Sequence, residues 1–189
     1  MRGALAPAID YAAGQFWTLL RRNGQAIAAF RRCTAAVPDH AAAWRMIGFL
    51  CQQDENRIDD ALLAFGRAVD LAPDDAISRY NFGFLLHQQG EREHALAQMT
   101  TAVRLRPALD QAWYGCGLLL SELGRPHEAV DALMRAVELQ PFNGSASDAL
   151  CRALRAAGDE DGLLAEYRRI GLYDPRTARR LAQELGLPD

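Results

Sequence analysis

Residues 110–143, DQAWYGCGLLLSELGRPHEAVDALMRAVELQPFN, decide how the chain folds. Trp113, Cys116, Gly117 and Leu120 stand at i, i+3, i+4 and i+7, one apolar stripe of an amphipathic helix. Gly124 ends that helix, and Pro126 falls where a first-turn proline is tolerated in the next. Ala129, Leu133, Ala136 and Val137 form the stripe of a second helix, which Pro141 stops by removing a donor and clashing with the preceding turn. Helices joined by so few residues pack antiparallel. Small residues at Gly117, Ala129 and Ala136 let the backbones approach, while Trp113, Leu120 and Leu133 fill the gaps. One such hairpin cannot bury both of its apolar faces, so it needs a neighbour on each side.

The rest of the chain supplies those neighbours at a step of about 34 residues, a period that means stacked supersecondary units. Residues 7–40 carry Gly14, Ala26, Phe30, Cys33 and Pro38 at the matching positions. Residues 41–75 carry Trp44, Ile47, Gly48, Ala61, Phe65, Ala68 and Pro73, with one extra residue in the turn at 54–56, where a surface connection tolerates insertion. Residues 76–109 carry Phe82, Gly83, Leu86, Gly90, Ala95, Met99, Ala102 and Pro107. Residues 144–177 diverge most, with Leu150, Cys151, Leu154, Gly158, Leu163, Tyr167, Ile170 and Pro175. A last helix over 178–187, with Leu181 and Leu185 on one face, is expected to cap the final apolar face of a single domain spanning 1–189.

Composition excludes more than it identifies. Half of the 189 residues are hydrophobic and 24% are charged, the balance of an ordinary helical protein. A net charge of −3 gives no electrostatic reason to bind nucleic acid. All 21 basic residues are arginine, which removes any Schiff-base or general-base lysine and fits a GC-rich bacterial source. No run reaches the roughly 18 apolar residues of a membrane span. Pro7 and Asp10 interrupt any secretory h-region, so a cytoplasmic chain is expected. Cys33, Cys51, Cys116 and Cys151 have no CxxC spacing and fall on small inward positions, where a thiol serves as a compact hydrophobe. His40, His87, His94 and His127 lie in different units, and no HExxH, GxSxG, P-loop or GxGxxG occurs. Neither catalysis nor a metal or cofactor is expected.

The pattern WxxxGxxL, then Gly, then AxxxLxxA and Pro resembles the tetratricopeptide repeat (TPR) over about 170 of the 189 residues. Departures are local: Asp10 replaces the first aromatic, Asn23-Gly24 displaces the turn glycine, and Ser147 replaces Trp in the fifth unit. The resemblance implies an all-α, right-handed superhelical solenoid of antiparallel helix pairs, whose first helices line an inner groove. It implies a protein or peptide partner held there by a non-catalytic scaffold.

Residues offset from the packing stripe of each first helix are the candidates for that groove: Tyr11, Arg45, Phe49, Tyr80, Asn81, Phe84, His87, Gln111, Tyr114, Leu118, Arg152 and Arg155. Aromatic and Arg side chains beside amides are the usual make-up of a recognition hot spot. Some TPR domains grip a C-terminal carboxylate with Lys, Asn and Arg; the matching positions read Arg45, Phe49, Asn81, Gln111 and Gly115, so the resemblance does not extend to that clamp. An extended or helical segment with apolar anchors suits the lining better, with Arg152 and Arg155 available to an acidic residue at one end. Arg168, Arg169, Arg176, Arg179 and Arg180 make a second basic group, interleaved with Glu166, Asp174 and Glu184, too mixed for nucleic acid. Two alternatives remain open at this stage: an accessory subunit of an enzyme or assembly machine, and a self-associating homo-oligomer using residues 4–20.

Overall fold

The structure, a computed structural model, describes residues 2–187, with side chains from Leu5 onward. Eleven helices follow one another among the described residues: α1 (Arg2–Leu19), α2 (Asn23–Ala36), α3 (Ala41–Cys51), α4 (Ile58–Leu71), α5 (Ala76–Gln88), α6 (Arg92–Leu105), α7 (Asp110–Glu122), α8 (Pro126–Leu139), α9 (Gly144–Ala157), α10 (Glu160–Tyr173) and α11 (Pro175–Leu185). The first helices α3, α5, α7 and α9 begin at 41, 76, 110 and 144, steps of 35, 34 and 34. The all-helical hairpin architecture read from the period is the one the chain adopts. Two compact units form, one up to Gln89 and one from Gly90.

In the first unit the core gathers Phe30, Ile47, Leu50, Phe65 and Leu85 around Ala26, Ala43, Ala61 and Ala64. A Cβ on Gly14 would lie 2.6 Å from the Phe30 ring, and one on Gly48 would lie 2.7 Å from Phe65. Each glycine is therefore the socket for the large side chain of its own second helix. Phe30 and Phe65 are fully buried as a result. In the second unit Gly117 receives Leu133 in the same way, and Leu133 is also fully buried.

The junctions between repeats share a hydrogen bond that the sequence hides. The carbonyl of the proline ending each second helix cannot be paired inside that helix. Trp44 Nε1 donates to the Pro38 carbonyl at 2.7 Å, and Trp113 Nε1 to that of Pro107 at 2.9 Å. Arg79 stands at the Trp position of the third repeat, and its Nε donates to the Pro73 carbonyl at 2.7 Å. In the fifth repeat Ser147 is too short. Arg169 reaches across from α10 instead, placing Nη1 2.5 Å from the Pro141 oxygen and Nη2 2.8 Å from Ser147 Oγ. Glu166, nearly buried, holds the guanidinium at 2.6 Å, and the Tyr173 ring lies 5.4 Å beneath it.

The turns within the hairpins differ for steric reasons. Gly90, Gly124 and Gly158 have φ of 81°, 71° and 76°, the left-handed conformation that closes a helix cheaply only in glycine. The first hairpin puts Arg21 at the matching position with φ 55°, since its glycine lies three residues later at Gly24. The second hairpin closes with a 3₁₀ turn, Glu55–Arg57, capped by the Asp54 side chain on the Asn56 amide. Pro175 both follows the end of α10 and opens α11 at N1, where Asp174 accepts from the Thr177 amide at 3.1 Å. Ala178, Leu181 and Ala182 of α11 are buried, and α11 packs on α9 and α10.

Candidate functional site

Helical phase sorts the twelve groove candidates into register columns. Tyr11, Arg45, Tyr80 and Tyr114 share one column, with Asp148 in the fifth repeat; Phe49, Phe84, Leu118 and Arg152 share the next. The columns start alike and end differently.

In the first unit Tyr11 is committed to packing. Its ring stacks on His40 at 4.7 Å and meets Phe30 edge-on at 5.5 Å. Arg45 of α3 donates Nη1 to Asp75 Oδ2 at 2.6 Å. Asp75 also caps α5, accepting from the Ile77 amide at 3.0 Å and from Ser78 Oγ at 2.8 Å. Burial pushes the Asp75 carboxyl up, but these donors and the Arg45 charge outweigh it and hold the acid below its ordinary range. Arg45 thus ties α3 to the head of α5. Phe49 of α3 and Phe84 of α5 are each 40% exposed, a large apolar fraction to leave in water. Tyr80 tilts against Phe84 at 6.4 Å, and Tyr80, Asn81 and His87 are half-buried on the same helix.

In the second unit Gln111 is exposed, and Tyr114 and Leu118 are half-buried. The Tyr114 phenol lines a polar pocket of about 560 Å³ with Asn143, Asp148, Asp174, Thr177 and Arg180. Burial, with a smaller contribution from the Asp148 charge, raises its pKa and keeps it a neutral hydrogen-bonding group. Arg152 and Arg155 have partners inside the chain. Arg152 pairs with Asp148 at 3.0 Å and with Glu184 of α11. Arg180 of α11 returns to Asp148 at 2.8 Å and to Glu184 at 3.2 Å, which closes a ring of alternating charge. Arg155 donates to the Leu185 carbonyl at 2.6 Å and to Glu160 at 3.2 Å. Arg152 therefore holds α11 in place, and Arg155 holds both α11 and the start of α10.

Two features were not singled out from the sequence. The pocket under α11 depends on which side of α9 the last helix covers, and no local pattern fixes that. A second cleft of about 610 Å³ has an apolar floor of Leu96, Val103, Trp113, Cys116 and Leu120, with Arg125 and Glu128 among its rim residues. Trp113, Cys116 and Leu120 belong to the stripe that the sequence pattern assigns to packing, so the pattern gave no sign that they floor an open cleft.

The thiols offer no nucleophile. All four cysteines are free and buried, and burial pushes Cys116 up to about 11 and Cys151 up to about 12, so both stay protonated at neutral pH. Among the described residues no three His, Cys, Asp or Glu side chains are grouped to hold a metal, and no helix is long and apolar enough to cross a membrane.

Comparison with known proteins agrees with this anatomy. Residues 52–110 and 110–143 each match a tetratricopeptide repeat model. No curated protein matches the sequence significantly. Among solved structures the chain is similar to MamA, at 17% identity over 98% of each chain with a TM-score of 0.81. It is similar to YrrB, a TPR protein with an unusual peptide-binding site, at 16% identity over 92% of this chain and 90% of that one, TM-score 0.81. It is also similar to PilF of Pseudomonas aeruginosa, at 18% identity over 99% and 87%, TM-score 0.77. At these identities the likeness is one of fold. Repeat models over residues 52–143, glycine sockets, proline-ended second helices and the 34-residue step together make this chain a member of the tetratricopeptide repeat family.

Proposed function

We propose that the chain is a non-catalytic scaffold that captures a protein or peptide segment on the outward columns of its first helices. The observation that carries this reading is the pair Phe49 and Phe84, two phenylalanines of one register column left 40% exposed. Each would anchor an apolar side chain of the partner, and Tyr80, Asn81 and His87 on α5 would orient it through hydrogen bonds. In the second unit Gln111, Tyr114 and Leu118 offer a more polar face of the same kind. Arg45, Arg152 and Arg155 serve this site by holding its helices, with their remaining donors available to the partner; Tyr11 shapes its N-terminal part. Peptide binding by YrrB supports the reading by analogy of fold. Free buried thiols and the all-arginine composition fit a bacterial cytoplasmic setting.

Capture from a native cell extract tests the proposal. Phe49→Ala with Phe84→Ala, and separately Tyr80→Ala with Tyr114→Ala, should each abolish retention of the partner while far-UV circular dichroism stays unchanged. Retention by both double variants would overturn it, and unfolding of the tyrosine pair would reassign those rings to the core. The cleft floored by Trp113 and Cys116 favours a second reading, an accessory subunit that docks through α6–α8. Thr100→Arg would fill that cleft and leave the first-helix columns intact, so loss of capture there alone would favour it.

A further inference from the structure

The outer face of α1 is built unlike that of every other first helix. Ile9 and Phe16 of α1 correspond in register to Ala43 and Leu50, to Ser78 and Leu85, to Ala112 and Leu119, and to Ala146 and Ala153. All eight of those residues are at most 2% exposed. They are covered because the second helix of the preceding repeat packs there, α2 on α3, α4 on α5, α6 on α7 and α8 on α9. In α1 the same face is 65% exposed at Ile9 and 54% at Phe16. It continues as an apolar stripe through Leu5, 64% exposed, and Leu19, 80% exposed, with Leu20 at its edge. A terminal repeat of a solenoid normally turns a polar face outward. The other terminal helix does so: Arg176, Arg179, Arg180, Gln183 and Glu184 of α11 are exposed.

What covers the α1 face can be argued from its composition and symmetry. Residues 5–20 carry a single charge, Asp10, and Arg32 neutralises it at 2.8 Å. Nothing on the stripe would attract an acidic or basic partner. Leu5, Ile9, Ala12, Phe16 and Leu19 follow i, i+4, i+7, i+11 and i+14, the seam of a helix pair. The seam is self-complementary about Ala12. Against an antiparallel copy of itself, Leu5 meets Leu19, Ile9 meets Phe16, and Ala12 meets Ala12, where the small side chain lets the backbones approach. The five exposed side chains present on the order of 600 Å² per copy, so two such faces would remove about 1,200 Å² from water, enough for a specific interface.

We propose that the chain forms a closed two-fold dimer through α1 packed antiparallel on α1 of a second copy. The charged face of α11 offers no apolar seat for a third copy's α1, so association stops at two. The dimer leaves Phe49 and Phe84 outside its seam and is independent of what the first-helix columns bind.

Sedimentation equilibrium of the full chain over a roughly thousandfold dilution series tests this directly. The expected result is a species of twice the 20.8 kDa chain mass that dissociates on dilution. Ile9→Glu with Phe16→Glu should give a monomer throughout the series with unchanged circular dichroism, since neither side chain belongs to the buried core. Ala12→Cys, by contrast, should form an interchain disulfide on mild oxidation, whereas Gln25→Cys on α2 should not. A wild-type chain that is monomeric at every concentration overturns the proposal, as would a dimer that survives the double substitution or an Ala12→Cys chain that fails to cross-link. The cross-link keeps the test decisive if the glutamate pair disturbs α1.

Discussion

Phe49 in α3, Phe84 in α5 and Arg152 in α9 occupy one register position and meet different fates. The phenylalanines stay 40% exposed. Arg152 is drawn into a charge ring that seats α11 across α9. The first unit therefore presents apolar rings on this column, while the fifth repeat spends the column on holding its own cap. The difference teaches that a repeat position has no fixed role. Its exposure depends on whether a later helix lies over it, and its chemistry follows from that.

Four substitutions measure this difference. The largest effect is expected from Arg169→Ala. It strips a nearly buried Glu166 of its partner and leaves the Pro141 carbonyl without the donor that Trp supplies elsewhere. A loss of about 3 kcal/mol in urea-unfolding free energy is expected, because breaking a pair with one buried partner strands a charge. Trp113→Phe, which removes the donor to Pro107 and part of a ring that lines an open cleft, should cost about 1 kcal/mol. Equal losses in the two variants would mean that the fifth repeat does not lean on charge more than the fourth.

Asp148→Asn comes next. Burial pushes the Asp148 carboxyl up, but hydrogen bonds from Arg152 and Arg180 outweigh this and hold it below its ordinary value. A carboxylate whose folded pKa lies below its unfolded value stabilises the fold above about pH 4, and that contribution is lost as pH falls through the folded value. Protection of the α11 amides against hydrogen exchange in the wild type should thus fall only in that acid range. The Asn variant should show faster exchange already at pH 7, with a stability loss of about 1 kcal/mol for a partly exposed network, and a smaller acid step. Identical pH profiles in α11 would remove the charge ring as its anchor. Exchange in α3 and α5 should be unaffected in either case.

The smallest effect lies in the first hairpin. Arg21 holds a left-handed backbone where the third, fourth and fifth repeats place glycine. Arg21→Gly should raise the melting temperature through a gain of about 0.5–1 kcal/mol, the left-handed strain relieved less the added freedom of the unfolded chain. No gain would place the turn's cost in the displaced Gly24 instead.

Part of the candidate site could be read from the residues alone. The outward phase of Phe49 follows from where Gly48 must face, since that glycine socket points at its own second helix and the next residue, about 100° further round, does not; Phe84 holds the same register position in α5. The commitment of Tyr11 to Phe30 and His40 was not readable, because His40 belongs to the next junction and reaches Tyr11 only after the hairpin closes. The engagement of Arg152 and Arg155 was equally hidden. Their partners, Asp148, Glu160, Glu184 and the Leu185 carbonyl, include groups 30 or more positions away. Arg79 standing in for Trp is the clearest case: side chains with no resemblance in a pattern share one N–H at one reach.

What the sequence settled by itself were the features that act within a few residues: helix phase, the prolines that stop second helices, the glycines that turn or receive, and a period short enough for each hairpin to need a neighbour. Those are steric and local, so they survive without knowledge of the rest. Tertiary structure alone decided which faces remain open. Whether α11 covers a column, whether an arginine finds its acid, and whether the apolar stripe of α1 meets a second helix all depend on groups far apart in the chain. Their cost or gain appears only when burial removes water from both partners at once.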